Sequence, residues 1–167
     1  MMCPPRREIL FLLGDALELA FTHKFGCDAE MAIDLLIRAK ALGLRPAGVS
    51  FHVGSQQTDP LQWDSPIEHA EQVSRACARA GVELDLLNLG GGFPGRYRFE
   101  VPSLATYAET IEDALDEHFG SSRPRIIIEP GRYLVAFHGA GSRGRVYWST
   151  PLGSPEDVPR FRADSTQ

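Results

Sequence analysis

The sequence predicts an α/β fold of parallel βα units, and three observations carry that prediction. Four short apolar runs, Ile9–Leu13, Val49–Val53, Leu84–Leu89 and Ile126–Ile128, are each closed by turn residues, the pattern of strands buried on both faces. Helical patterns separate the runs. Markers at the run ends, Gly14, His52, Gly90 and Glu129, recur at intervals of 38, 38 and 39 residues. Strand, loop, helix and loop at that spacing make one βα unit, and successive units pair in parallel through right-handed crossovers. Four units fit an open doubly wound sheet, or half of an eight-stranded barrel that needs about 250 residues when complete.

Each element has its own local signals. Ile9–Leu13 ends at Gly14-Asp15, and the stretch from Asp15 to His23 reads cleanly as neither helix nor loop. Asp28 caps a helix with Met31, Leu35, Leu36, Ala39 and Leu42 on its inner face, and Gly43 stops it. Val49–Val53 runs into Gly54-Ser55. Pro66 opens the second helix, with Ile67, Ala70, Val73, Ala76, Cys77 and Ala80 inside and Gly81 as its stop. Leu84–Leu89 runs into Gly90-Gly91-Gly92. Ser103 caps the third helix, whose inner face is Leu104, Tyr107, Ala108, Ile111, Ala114, Leu115 and Phe119, with Gly120 after it. Ile126–Ile128 ends in Glu129-Pro130-Gly131, and Tyr133–Phe137 leaves room for one more short strand. The periodicity stops at Gly139, so residues 1–138 are expected to hold the βα units and 139–167 to form an irregular, disordered tail.

Composition narrows the function classes. A chain of 167 residues, 43% hydrophobic and 23% charged, has the length and make-up of one globular domain. A net charge of −5 gives no cationic field for a polyanion, so no nucleic-acid partner is expected. No apolar run approaches the roughly 18–20 residues that cross a bilayer, so no membrane is expected either. The first thirteen residues lack the long apolar core and cleavage site of a secretion signal. Cys3, Cys27 and Cys77 are odd in number and far apart, which suits a reducing, cytoplasmic compartment. Among 17 basic residues only Lys24 and Lys40 are amines.

Ligands of parallel α/β folds bind beyond the carboxyl ends of the strands. Those ends carry His52 with Ser55, then Gly90-Gly91-Gly92, then Glu129 with Arg132. Glycine amides, a hydroxyl and a guanidinium suit a phosphate. Glu129 would repel one, so it is expected to face a cationic part of the same ligand. Taken singly, the triglycine is a tight turn, His52 a core histidine beside Phe51 and Val53, and Glu-Pro-Gly-Arg a plain turn. Placed together at three successive strand ends, they favour a ligand with a phosphate at one end and a basic nitrogen at the other. Elsewhere, Asp113, Asp116 and Glu117 read as a solvated helix face. His69 and His118 have no partner at metal spacing, so no metal site is expected. Ser55 lacks the local sequence of a hydrolase nucleophile.

Lys24-Phe25-Gly26, the segment Gly48 to Gln56 around His52 and Ser55, Leu89 to Gly95 (LGGGFPG) and Ile128 to Tyr133 resemble the ornithine decarboxylase group. These are the fold-type III, pyridoxal-phosphate-dependent decarboxylases of ornithine, lysine, arginine and diaminopimelate. The resemblance covers Lys24 to Ala136, with the motifs in the family's order, and LGGGFPG leans toward the ornithine/lysine branch. It implies pyridoxal 5′-phosphate as cofactor and a TIM-type (β/α)8 barrel, of which 1–138 would be about half. It implies that His52 stacks on the cofactor ring, and that Ser55, Gly90, Gly91, Gly92 and Arg132 bind its phosphate. Glu129 would pair with the ring nitrogen, so His52 and Glu129 are the expected catalytic residues. Lys24 would belong to subunit contacts.

Departures qualify the activity. Nothing before Lys24 matches the family's Schiff-base lysine, and the family's C-terminal β-domain is not seen after Ala136. The chain is therefore expected to be the middle portion of such a barrel and inactive alone. The implied reaction is decarboxylation of ornithine or lysine to a diamine, a polyamine precursor, in a homodimeric family, so self-association is expected. The alternative is a non-catalytic homologue that binds a regulatory partner.

Overall fold

Two short polar side chains set two of the helix starts. Asp28 accepts the Met31 amide at 2.8 Å and Ser103 accepts the Thr106 amide at 3.1 Å. Each satisfies an N–H that a first helical turn leaves without an intrahelical partner. Helices α1 (Ala29–Ala41) and α3 (Leu104–Phe119) follow directly. Between them α2 (Asp64–Arg79) begins two residues before Pro66, preceded by a 3₁₀ turn at Pro60–Trp63. Pro66 stands third in the helix, where its missing N–H has no intrahelical partner to lose. The computed structural model describes residues 8–12, 26–95 and 100–136. Asp15–His23 and the tail from Gly139 lie outside them.

Strands β1 (Glu8–Leu12), β2 (Arg45–Ser50), β3 (Leu86–Asn88) and β4 (Arg125–Ile127) form one parallel sheet in the order β1-β2-β3-β4. Each strand is laid beside the one before it. Right-handed crossovers then place successive helices on the same face, and α1 indeed packs on α2 and α2 on α3. A doubly wound sheet reverses its strand order and has helices on both faces. This winding is the wall of a barrel.

Alternation along the strands sorts the side chains. Val49, Phe51, Leu87 and Leu89 are at most 4% exposed and join Leu36, Trp63, Ile67, Val73 and Leu115 in one core between sheet and helices. Burial of each large side chain contributes about 1.5–3 kcal/mol, so this layer holds the wall together. At the amino ends of the strands, the Asp85 carboxylate accepts from Arg45 at 3.0 Å and Arg125 at 3.1 Å, spanning β2, β3 and β4.

The structure moves several boundaries. β2 starts at Arg45, not Val49, and its pairing with β1 steps from Ile9↔Pro46 to Leu10↔Gly48. Pro46 has no N–H for the ladder, and the register shift falls beside it. Phe51 and Val53 are buried as expected but lie beyond the strand, because burial and pairing are separate signals. The inner face of α1 is Ala32, Leu36 and Ala39, whereas Met31, Leu35 and Leu42 are exposed. This helix is apolar on more than one side, and its small residues are the ones that allow close approach to the sheet. Ala80 is exposed where α2 ends. Tyr133–Ala136 is not a strand: residues Gly131–Ala136 form the short helix α4, entered through Leu134 N–H on the Pro130 carbonyl at 3.1 Å, and Phe137 lies outside the described residues. A short apolar run does not distinguish the two by period. Among the described residues, no helix is long and apolar enough to cross a membrane.

Candidate active site at the carboxyl ends of the strands

The glycine loop after β3 is shaped by its neighbour rather than by open space. Gly90 and Gly92 have φ of +65° and +108°, where a side chain is strained. A Cβ on Gly90 would lie 2.1 Å from the Phe51 carbonyl oxygen, and one on Gly92 would lie 2.6 Å from that of Gly54. The loop is thus pressed onto residues 51–54 after β2, and that packing alone requires glycine. Further bonds fasten the two loops. Gln57 N–H donates to the Gly92 carbonyl at 2.9 Å, and Gly95 N–H donates to Gln56 Oε1 at 2.8 Å. Gln56 itself is left-handed, with φ of +57°, a strain of roughly 1–2 kcal/mol that these contacts offset.

An aromatic cluster supports the same loops from below. Trp63, Phe93 and Tyr107 have ring centroids 5.0, 5.6 and 5.8 Å apart. The Tyr107 hydroxyl donates to the Gln57 carbonyl at 2.8 Å. Burial pushes its phenol up to about 12, and the nearby Asp59 carboxylate adds to that.

The polar side chains are held just as specifically. Gly91 N–H donates to His52 Nδ1 at 3.2 Å, so this ring nitrogen accepts and the imidazole proton sits on Nε2. Asn88, the buried last residue of β3, accepts Gly90 N–H on Oδ1 at 2.9 Å and donates through Nδ2 to Glu129 Oε1 at 2.6 Å. The Glu129 backbone joins the same set, its N–H on the Gly90 carbonyl at 2.8 Å.

One cleft of about 250 Å³ collects His52, Ser55, Gly91, Gly92, Glu129 and Arg132. Gly90 stands behind it with its N–H committed to Asn88. His52, Ser55, Glu129 and Arg132 are all solvent-exposed. A hydroxyl, a guanidinium and a loop amide in one cleft with a carboxylate match a ligand that carries both an anion and a cationic nitrogen. A wider hollow of about 420 Å³ lies at the opposite, amino end of the strands beside Lys40 and Arg45, where Lys40 donates to the Gly81 carbonyl. It holds none of the strand-end residues.

Sequence reasoning missed Asn88, Gln56 and the aromatic support. Asn88 had a signal, a lone amide in an apolar run; the inter-loop contacts of Gln56 and Tyr107 span 39 and 50 residues and had none. One expectation is corrected: His118 is not without a partner, because its Nε2 lies 3.0 Å from Asp64 Oδ1, with Glu117 beside them. The end of α3 packs on the start of α2, a tertiary contact that spacing does not show.

The comparisons bear on this cleft. The family profile described as pyridoxal-dependent decarboxylase, pyridoxal binding domain, matches residues 19–136. Ornithine decarboxylase 2 of Drosophila melanogaster is 41% identical over 113 residues, which is 67% of this chain and 28% of that protein. Ornithine decarboxylase of Mus musculus is 42% identical over 118 residues, 68% of this chain and 24% of that one. The chain thus spans about a quarter of the length of these relatives. Among solved structures, lysine decarboxylase from Selenomonas ruminantium superposes with a TM-score of 0.69 at 32% identity, covering 78% of this chain and 35% of that one. Lysine/ornithine decarboxylase from Vibrio vulnificus, complexed with putrescine, gives 0.66 at 33%, covering 76% and 33%. The barrel-type winding, the strand-end cleft and the matched stretch all coincide, and the chain belongs to the pyridoxal-dependent decarboxylases through their pyridoxal-binding domain.

Proposed function

We propose that this chain forms the cofactor-binding wall of a decarboxylase acting on a basic amino acid, ornithine or lysine. The observation that carries this reading is the single cleft joining Ser55, Gly92 and Arg132 to His52 and Glu129. Arg132 would hold the phosphate of pyridoxal 5′-phosphate by a charge-assisted contact, with Ser55 and the Gly90–Gly92 loop around it. His52 would lie on the ring face, oriented by its bond from Gly91 N–H. Glu129 would accept a hydrogen bond from the protonated ring nitrogen and so keep the ring cationic. When bound, the cofactor supplies a conjugated pyridinium that takes up the electron pair left as carbon dioxide departs.

The chain's own amines set a limit. Lys40 is fixed at the far end of the strands, away from the cleft, and Lys24 lies outside the described residues. Pyridoxal 5′-phosphate is therefore expected to bind without a covalent bond. In a titration followed by absorbance, binding should weaken about tenfold or more in Glu129→Gln and in Arg132→Ala, the loss of one charge-assisted contact. Borohydride should trap no stoichiometric adduct, and carbon dioxide release from ornithine or lysine should stay at the cofactor-only background. Specific trapping on Lys24, or turnover that depends on Glu129, would overturn this account of the chain. Binding unaffected by either substitution would overturn the site.

A further inference from the structure

We infer that Asp64, Glu117 and His118, gathered where the end of α3 meets the start of α2, form a binding site for a divalent transition-metal ion, which we assign to Zn²⁺. The group shares no residue with the strand-end cleft, so the inference is independent of the cofactor reading above.

Two packed helices bring the three side chains together. Asp64 is the first residue of α2, and Glu117 and His118 stand in the last turn of α3. Spacing along the chain hides the group, because Asp64 and His118 are 54 residues apart. In the fold, Asp64 Oδ1 lies 3.0 Å from His118 Nε2, and one ligand atom from each of the three residues lies within 4.8 Å of the other two. Bonds of about 2.0–2.2 Å to a tetrahedral ion put ligand atoms about 3.3–3.5 Å apart. The Asp64–His118 pair is already close to that edge length. Glu117 is exposed, and among the described residues no hydrogen bond or ion pair holds its carboxylate, so it can turn inward without breaking a contact. His118 is the anchored ligand, its side chain only 17% exposed.

Donor chemistry selects the ion. One imidazole nitrogen and two carboxylate oxygens suit zinc, which takes three such ligands and a water in a tetrahedron. Calcium needs six to eight oxygens, and magnesium demands an octahedron of oxygens, so neither fits this set. Charge favours a cation as well, since two carboxylates meet an imidazole that binds metal in its neutral form. The neighbouring Arg123 is committed to Glu112 and Asp116, other carboxylates of α3. The two helix ends carry opposite partial charges, which leaves the balance to the side chains. A bound ion would replace the Asp64–His118 pair as the tie between α2 and α3.

Calorimetric titration of the chelator-treated chain with zinc chloride should show one equivalent bound. Glu117→Gln is the decisive variant, because Glu117 has no contact to lose in the metal-free fold. Its melting temperature without metal should match the parent, while zinc affinity falls at least ten- to hundredfold, the loss that even an outer partner of a metal ligand causes. His118→Gln and Asp64→Asn should abolish binding, with amide spectra that match the parent as the check that each folds. Zinc should raise the melting temperature of the parent and leave that of Glu117→Gln unmoved. An excess of calcium chloride should not displace it. Unchanged affinity in Glu117→Gln, or in folded His118→Gln, would mean an adventitious ion only and overturns the inference. Absence of zinc uptake by the parent also overturns it, leaving Asp64 and His118 as a plain ion pair, and so does displacement by calcium.

Discussion

Tyr107 shows how a residue outside the cleft bears on it. Its ring closes the aromatic cluster under the glycine loop and its hydroxyl holds the Gln57 carbonyl at 2.8 Å. Tyr107→Phe keeps the ring and removes the bond, so stability should drop by about 1 kcal/mol in urea unfolding. The phenol also gives a pH signature. In the unfolded chain it titrates near 10, and burial in the folded chain pushes it to about 12. Its raised value favours the folded state fully below about pH 10, and that contribution is lost as pH climbs through about 12. Thermal melts across that window should fall more steeply for the parent chain than for Tyr107→Phe. Equal slopes would show that Tyr107 is not the group responsible. By contrast, burial raises the Cys77 thiol, so that side chain behaves as a small apolar residue.

Secondary structure in this chain is written locally where it is capped and tertiarily where it is paired. α3 runs from its Ser103 cap to Phe119, as its sequence indicates, and α1 starts at its Asp28 cap. Replacing Ser103 by alanine should cost about 1 kcal/mol in chemical denaturation, the usual loss for a side-chain N-cap. No change would mean that packing of Tyr107, Ile111 and Leu115 alone fixes that helix end. The 38-residue period made the βα order legible, and the strand-end rule placed His52, Ser55, Glu129 and Arg132 in one cleft. Less was legible where the same composition serves two structures. Tyr133–Ala136 is apolar and short, so helix and strand look alike; α1 is apolar on several sides, so Leu36 and Ala39 were read correctly on its inner face while Met31, Leu35 and Leu42 were wrongly added to it. The contacts that organise the cleft, from Gln56 to Gly95 and from Asn88 to Glu129, join residues about 40 apart and depend on register.

At the scale of the whole molecule, a barrel wall has two outer strands and an inner face. Among the described residues these strands are β1 and β4, and Ile127 on β4 is 42% exposed. Unpaired strand edges template association, and each uncovered large apolar side chain forfeits about 1.5–3 kcal/mol of a net stability near 5–15. Sedimentation of the chain should therefore show concentration-dependent self-association together with a low melting temperature. A dilute, cooperative monomer with a high melting temperature would contradict the open-wall picture. β3 and β4 pair over only three residues, too few to define their alignment firmly, so the fastenings at their two ends matter. A slip by one residue would turn Asn88 to the helix side and Leu87 to the cleft. The two fastenings differ in kind: Asp85 with Arg45 and Arg125 is ionic and half-exposed, whereas Asn88 is a buried amide link. Salt separates them, because screening shortens from about 30 Å at 0.01 M to about 3 Å at 1 M. Concentrated salt should thus speed amide exchange at Asp85 and Arg125 and leave Gly90 protected. The wall works like a hinged panel latched at the ligand's end, and brine loosens only the hinge side.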